Sequence, residues 1–297
     1  MTKFDLHIHS TKSDGRLSPK EIIDEAAKNG VEVIAITDHD TVSAHTKQLH
    51  EYAREKGVKL LTGIEISSEN ARGGFHILGY NIDTENEALK AGVKKLKENR
   101  QAILEESSKK LAEFGFKVET EKLKNLESIA KGSIAENLLD NPDNKQALLE
   151  RFGHMPTKGE FIQTFMNRGC PAYVQKEHIT PAQAAEMIRK AGGKVVLAHP
   201  VVYIYEKGFS EEDVINVIKE INPDGVEANY VLYDKSNVRH YEYDRWSGVA
   251  KKFNAFLTIG SDFHRDDGIR PLIGFVNENI VLSEDDEKIL KERLFNN

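Results

Sequence analysis

Apolar and polar residues alternate with period two along Phe4-Asp5-Leu6-His7-Ile8-His9. In a strand, alternate side chains point to opposite faces, so Phe4, Leu6 and Ile8 take one face and Asp5, His7 and His9 the other. A loop carrying Asp14-Gly15 follows, then Ser18-Pro19-Lys20-Glu21. There Ser18 can cap a helix, Pro19 suits its first position and Glu21 completes a capping box. The helix runs through Ile22, Ile23, Ala26 and Ala27 and stops near Asn29-Gly30. Residues 31–36 form an almost continuous apolar run, expected of a strand covered on both faces. Next come a helix over about 42–56 that stops at Gly57, a strand over 59–66 with Glu65 at its end, and a strand over 74–80 containing His76.

Between about residues 85 and 175 the pattern changes. Leu89, Val93 and Leu96, then Ile103, Leu104 and Leu111, recur at helical spacing in a stretch rich in Lys and Glu, punctuated by Gly115, Gly132 and Asn141-Pro142. This reads as a helical insertion over 101–172, dividing a larger domain into residues 1–100 and 173–297. The alternation then resumes. A helix starts at Thr180-Pro181 and ends at Gly192-Gly193, a buried strand covers 195–199, a helix starts over 210–213, and a short strand covers 225–228. A helix over about 239–253 and a last strand over 255–261, ending at Asp262-Phe263-His264, complete the chain. Seven strands, each mostly followed by a helix, predict an α/β fold whose parallel sheet is closed or nearly closed into a barrel.

Bulk properties narrow the function. At 297 residues the chain accommodates an α/β barrel of about 250 residues plus an insertion. A formal net charge of -7 argues against duplex nucleic acid as a partner, since sequence-independent binding needs a basic face. It leaves room for a small anionic substrate, because local charge outweighs the sum. The single cysteine, Cys170, permits no intrachain disulfide and fits a reducing compartment. With no N-terminal apolar segment and no apolar run near the roughly 20 residues of a membrane span, a cytoplasmic protein with no membrane partner is expected.

Six of the eleven histidines, His7, His9, His39, His76, His199 and His264, fall in or just after expected strands. The others, His45, His50, His154, His178 and His240, read as ordinary surface residues. Strand ends converge on one face of a parallel α/β fold, and Asp14, Glu65 and Asp262 join the histidines there. So many ligand-type side chains are too many for one ion. They suit two or three divalent metals, with Glu65 a natural bridge, and the mixed imidazole and carboxylate set suits zinc, manganese or iron better than calcium or magnesium. The cations outweigh the three carboxylates and leave a positive pocket in an acidic protein, which attracts phosphate. The implied chemistry is attack of a metal-held hydroxide on phosphorus. Asp38 and Asp40 flank His39. One of them can orient a ligand imidazole, or Asp40 can protonate the leaving group.

In order and type, His7-Ile8-His9, Ser13-Asp14-Gly15, Thr37-Asp38-His39-Asp40, Gly63-Ile64-Glu65, His76, Ala198-His199-Pro200 and Ser261-Asp262-Phe263-His264 resemble the polymerase and histidinol phosphatase (PHP) family. The resemblance implies a distorted, TIM-like (β/α)7 barrel with a trinuclear metal site and phosphoesterase activity. It assigns His7, His9, Glu65 and Asp262 to one ion, Glu65, His76 and His199 to a second, and Asp14, His39 and His264 to the third. The helical insertion followed by Gly169-Cys170-Pro171-Ala172-Tyr173-Val174 looks like the stand-alone branch that acts on nucleoside 3',5'-bisphosphates and short oligonucleotides. The chain departs from that branch at Lys131-Gly132-Ser133-Ile134-Ala135, where its members tend to carry Arg-Pro-His-Ile-Ala. Arg168, and after it Arg16, are candidate phosphate contacts because guanidinium matches phosphate in bidentate fashion. Tyr173 and Tyr230 read as packing residues, with base stacking the alternative. The expected substrate is a small phosphorylated metabolite, above all a nucleotide. The alternatives are a histidinol-phosphate-type phosphatase and an amidohydrolase-like C–N hydrolase. The latter also opens with His-x-His on a barrel strand, but commonly bridges its metals through lysine where Glu65 stands here.

Overall fold

In the computed structural model, the alternation at the start of the chain folds as β1 (Phe4–Ile8). The structure describes residues 3–124, 129, 131–174, 178–234, 236–276 and 282–295. The expected helical reading at 125–128, 130 and 175–177 lies outside the described residues. The chain forms two compact units, residues 1–92 with 178–297, and residues 93–177.

In the first unit, β1, β2 (Val33–Ile36), β3 (Lys59–Glu69), β4 (Gly74–Tyr80), β5 (Lys194–Leu197) and β6 (Gly225–Asn229) pair in that order. A small antiparallel hairpin, β7 (Leu232–Tyr233) and β8 (Arg239–His240), stands apart, and β9 (Phe256–Ile259) completes the seven-stranded sheet beside β6. His9 N–H donates to Phe263 O at 2.9 Å and Ile8 bridges Phe263, so the sheet nearly closes between its first and last strands.

Every residue of β1 is buried. Ile8 packs with Ile22, Ile23 and Ala26 of the helix Pro19–Lys28, which Ser18 and Glu21 cap reciprocally as the sequence predicts. The opposite face, Asp5 and His7, turns into a barrel interior that also holds the buried polar residues Glu65, Glu227 and Thr258.

Three details correct the sequence reading. First, β4 is antiparallel to both β3 and β5, so the sheet is mixed. The chain between Glu69 and Gly74 is a tight turn, and a parallel return needs a crossover of a dozen residues or more. Second, β3 runs on to Glu69, which puts Glu65 inside the strand rather than at its end. Third, the helix expected from 239 begins at Tyr243, because Arg239 and His240 pair with β7.

The second unit is helical throughout its described elements. Leu104, Leu111, Phe116, Ile134, Leu138, Leu148, Phe161 and Phe165 form its own buried core. Among the described residues, no helix is long and apolar enough to cross a membrane.

Candidate metal centre

The centre grows from the ends of β1, β2, β5 and β9, with His76 from β4, around Glu65 of β3. His7 and His9 are both fully buried, and their Nε2 atoms approach to 3.1 Å. After β1 the chain folds back on itself, with the Ser13 and Gly15 N–H groups both donating to Ser10 O at 3.0 Å. Gly15 is required here, since a Cβ would lie 2.1 Å from His9 O. This turn delivers Asp14 to 3.8 Å from His9 Nδ1 and 3.3 Å from His264 Nε2.

Glu65 is the hub. Its Oε1 lies 3.0 Å from His76 Nδ1, 3.1 Å from His199 Nε2 and 3.4 Å from His7 Nε2. Its Oε2 lies 2.8 Å from His39 Nδ1 and 3.3 Å from His9 Nε2. Asp262 Oδ1 reaches His9 Nε2 at 3.1 Å, His7 Nε2 at 3.4 Å and His264 Nδ1 at 3.6 Å. Asp262 and His199 adopt positive φ values of 51° and 26°, backbone strain of the kind concentrated at functional sites. The nine ligand candidates chosen from the sequence are thus brought to one place.

Three overlapping groups have ligand atoms within 4.8 Å of one another: His9, Asp14, His39 and His264; His7, His9 and Asp262; and His39, Glu65 and His76. His39 Nδ1 and Glu65 Oε2, although 2.8 Å apart, lack the angle of a hydrogen bond, and both atoms are buried without a partner, as is Asp14 Oδ1. Unpaired buried polar atoms are costly. Atoms that crowd together without bonding one another fit a shared cation, and the donor set of imidazoles and carboxylates suits a divalent transition ion.

The electrostatics fit the same arrangement. Burial opposes ionisation of Glu65, but His76, His39 and His7 outweigh it and hold the carboxyl well below the usual range. Burial is likewise outweighed at Asp14 by His39 and His264, and at Asp262 by His7 and His264. Burial disfavours a charged His9, yet Asp262 and Glu65 push it up to about 10. His76 goes the other way, with burial pulling it down to about 4 despite Glu65.

The remaining sequence candidates occupy other positions. Asp38 accepts from Ser10 N–H at 2.7 Å, Ser10 O–H at 2.7 Å and Ser13 O–H at 2.6 Å. Ser13 Oγ is 3.4 Å from His9 Nδ1, so Asp38 reaches that imidazole at one remove. Buried Asp40 accepts from Ser67 N–H at 2.7 Å. A cavity of about 220 Å³ opens on the centre, lined by His39, Glu65, His76, His199, Asp262 and His264 and also by Lys207 and Arg270. Neither Arg16 nor Arg168 is among its described lining residues. Arg16 N–H donates to His264 O, and Arg168 belongs to the second unit.

Two side chains escaped sequence reasoning. Glu227 on β6 is fully buried against His7, and the signal was a lone acid inside a short apolar strand. His45, read as a surface residue, lies with Nε2 2.9 Å from Ile36 O and 3.0 Å from Gly63 O.

A mixed, nearly closed barrel that gathers three overlapping clusters of metal-ligand candidates is the frame of a metal-dependent phosphoester hydrolase. The chain belongs to the PHP domain family, which matches residues 5–191. It is 32% identical over 262 residues to a 5'-3' exoribonuclease of Haemophilus influenzae, covering 88% of this chain and 90% of the relative. It is 28% identical over 268 residues to the 3',5'-nucleoside bisphosphate phosphatase of Chromobacterium violaceum, covering 89% and 88%. A solved structure from Bifidobacterium adolescentis, assigned to the metal-dependent phosphoesterases, superposes with a TM-score of 0.75 over 98% of this chain and 96% of its own. At 21% identity that likeness is one of fold.

Proposed function

We propose that this chain hydrolyses a phosphate ester of a small metabolite, a nucleotide such as a nucleoside 3',5'-bisphosphate or a short oligonucleotide. The observation that carries the reading is the convergence of five imidazoles on the single carboxylate of Glu65, with Asp14, Asp262 and His264 beside them. His7, His9, Glu65 and Asp262 would hold one divalent ion, Glu65, His76 and His199 a second, and Asp14, His39 and His264 a third. When bound, manganese, zinc or iron ions supply Lewis-acid polarisation of phosphoryl oxygens and acidify water.

The chain's own residues do the rest. Asp38, whose oxygens take three hydrogen bonds, holds the loop that presents Asp14 and steadies His9 through Ser13. That leaves Asp40 as the candidate proton donor to the leaving group. Lys207 and Arg270 line the cavity beside the centre and suit a second anionic group on the substrate. This supports a bisphosphate or a chain of phosphodiesters, the substrate types named for the Chromobacterium and Haemophilus relatives. Arg168 and Arg16 stay as further candidates for phosphate contact. The net charge of -7 supports a small or single-stranded substrate over duplex nucleic acid.

The test is turnover of a chromogenic phosphate monoester, a nucleoside 3',5'-bisphosphate and a 5'-phosphorylated oligoribonucleotide, each with added manganese. Hydrolysis that stops on chelation, and that His9→Ala lowers at least about 100-fold, is expected. Cleavage of amides with no cleavage of any phosphate ester, histidinol phosphate included, would sink the proposal.

A further inference from the structure

Glu227 has the strongest unexplained environment in the barrel. It is fully exposed to protein and not at all to solvent, and its ion-pair partner among the described residues is a histidine rather than Lys or Arg. Both carboxylate oxygens face His7 Nδ1, Oε2 at 3.0 Å and Oε1 at 3.1 Å. Oε2 also accepts the backbone N–H of His199 at 2.8 Å. One carboxylate on β6 therefore grips a side chain from β1 and the backbone just after β5.

The chemistry of imidazole gives this grip a consequence. A nitrogen facing a buried carboxylate carries the proton, because two acceptors repel. With Nδ1 protonated, the neutral ring presents its lone pair at Nε2. That atom is the one that approaches His9 Nε2 at 3.1 Å and Glu65 Oε1 and Asp262 Oδ1 at 3.4 Å each. His199 is affected through its backbone. The bond to its N–H anchors a residue whose φ of 26° is strained, and so sets where its ring meets Glu65.

The neighbouring strand leaves room for this pair. A Cβ at position 260 would lie 2.3 Å from Glu227 Oε1 and 2.3 Å from His7 Cβ. Glycine there allows the carboxylate and the imidazole to meet side by side.

From these contacts we infer that Glu227 is a positioning residue for the metal centre. It fixes His7 with Nδ1–H outward and Nε2 inward and steadies His199, without itself touching ion or substrate. The inference rests on the metal-centre reading above. A purely structural ion pair would use the same contacts but would not tune metal uptake, and partners of this kind typically change metal affinity or activity by about 10- to 100-fold.

The experiment compares the full-length wild type with Glu227→Gln, Glu227→Asp and Gly260→Ala. Manganese uptake is read by elemental analysis after dialysis, its affinity by calorimetry, and the geometry by the visible spectrum of the cobalt(II)-loaded protein. Glu227→Gln is expected to fold, to bind its weakest ion about 10- to 100-fold less tightly, and to change the cobalt spectrum. Glu227→Asp should restore part of the affinity, and Gly260→Ala should reproduce the loss from the other side of the contact. If Gln does not fold, the Asp and Ala variants carry the same reading. Variants that bind manganese with wild-type stoichiometry and affinity, with an unchanged cobalt spectrum, overturn the inference alone. A wild type that takes up no ion overturns the metal centre beneath it.

Discussion

The phenol of Tyr230 donates a 3.0 Å hydrogen bond to Asp262 Oδ2, leaving Oδ1 to face His9 and His7. Burial, with Asp262 and Glu227 nearby, pushes the phenol well above its ordinary range, so its proton stays in place and the bond keeps its direction. The contact selects which carboxylate oxygen turns to the centre. Tyr230→Phe removes it while keeping the ring in its cluster with Val201, Val202 and Leu232. Phosphate-ester turnover at limiting manganese should fall about tenfold and recover partly at saturating metal. Activity titrated against manganese checks this, and an unchanged titration would remove Tyr230 from the account.

Much of this arrangement was legible in the sequence because most of the ligand candidates sit where a short apolar strand meets polar residues. His7 and His9, His39, His199, and Asp262 with His264 all follow that rule. Glu65, picked out as a ligand candidate at a strand end, lies instead inside β3, which continues past it to Glu69 and into a hairpin. β4 itself was expected over 74–80 but its antiparallel direction was missed, as counting strands and helices does not register a turn too short for a crossover. Glu227 was invisible as a partner because its contacts span 220 residues to His7 and 28 to His199. Spacing along the chain carries no trace of a pair that only barrel closure brings together.

Asp38 and Asp40 looked equivalent in the sequence, and their surroundings separate them. Asp38→Ala strands three donors in a buried loop, and at about 1–3 kcal/mol for each unmet bond it should destabilise the protein by roughly 3 kcal/mol or more. Asp38→Asn, which keeps an acceptor, should lose less. Urea denaturation measures both. A variant that keeps full stability yet loses all turnover would make Asp38 the proton donor instead.

Lys207 and Arg270 line the cavity while the metal-ligand candidates form its floor. Lys207→Ala and Arg270→Ala should each raise KM for a nucleoside bisphosphate about tenfold or more, the value of one charge-assisted contact, with kcat changed little. A substrate with a single phosphate and no second anionic group should hardly notice either change. Equal effects on both substrates in steady-state kinetics would move these residues from the second anionic subsite to the reacting phosphate.

His45 gives the barrel a dependence on pH that is separate from its chemistry. Its Nε2 meets the carbonyls of Ile36, the last residue of β2, and of Gly63, inside the neighbouring β3, while Nδ1 is buried with no partner. Charging the ring would place a new N–H where nothing accepts it, and burial pulls the pKa down from 6.5 to about 4. A base depressed in the folded state binds more protons when unfolded. Its contribution is therefore complete above pH 6.5 and is lost progressively as the pH falls toward 4. Over the whole window this amounts to about 3 kcal/mol, of which about 2 kcal/mol has gone by pH 5. His45→Asn removes the titration and should lower stability at pH 7. Because the acidic groups of the centre are common to both proteins, the gap between wild type and variant isolates His45. That gap, from urea unfolding at pH 7 and pH 5, should shrink by about 2 kcal/mol at the lower pH. A gap that stays constant would mean that the ring titrates near its ordinary value, and that the two carbonyls hold it equally well charged.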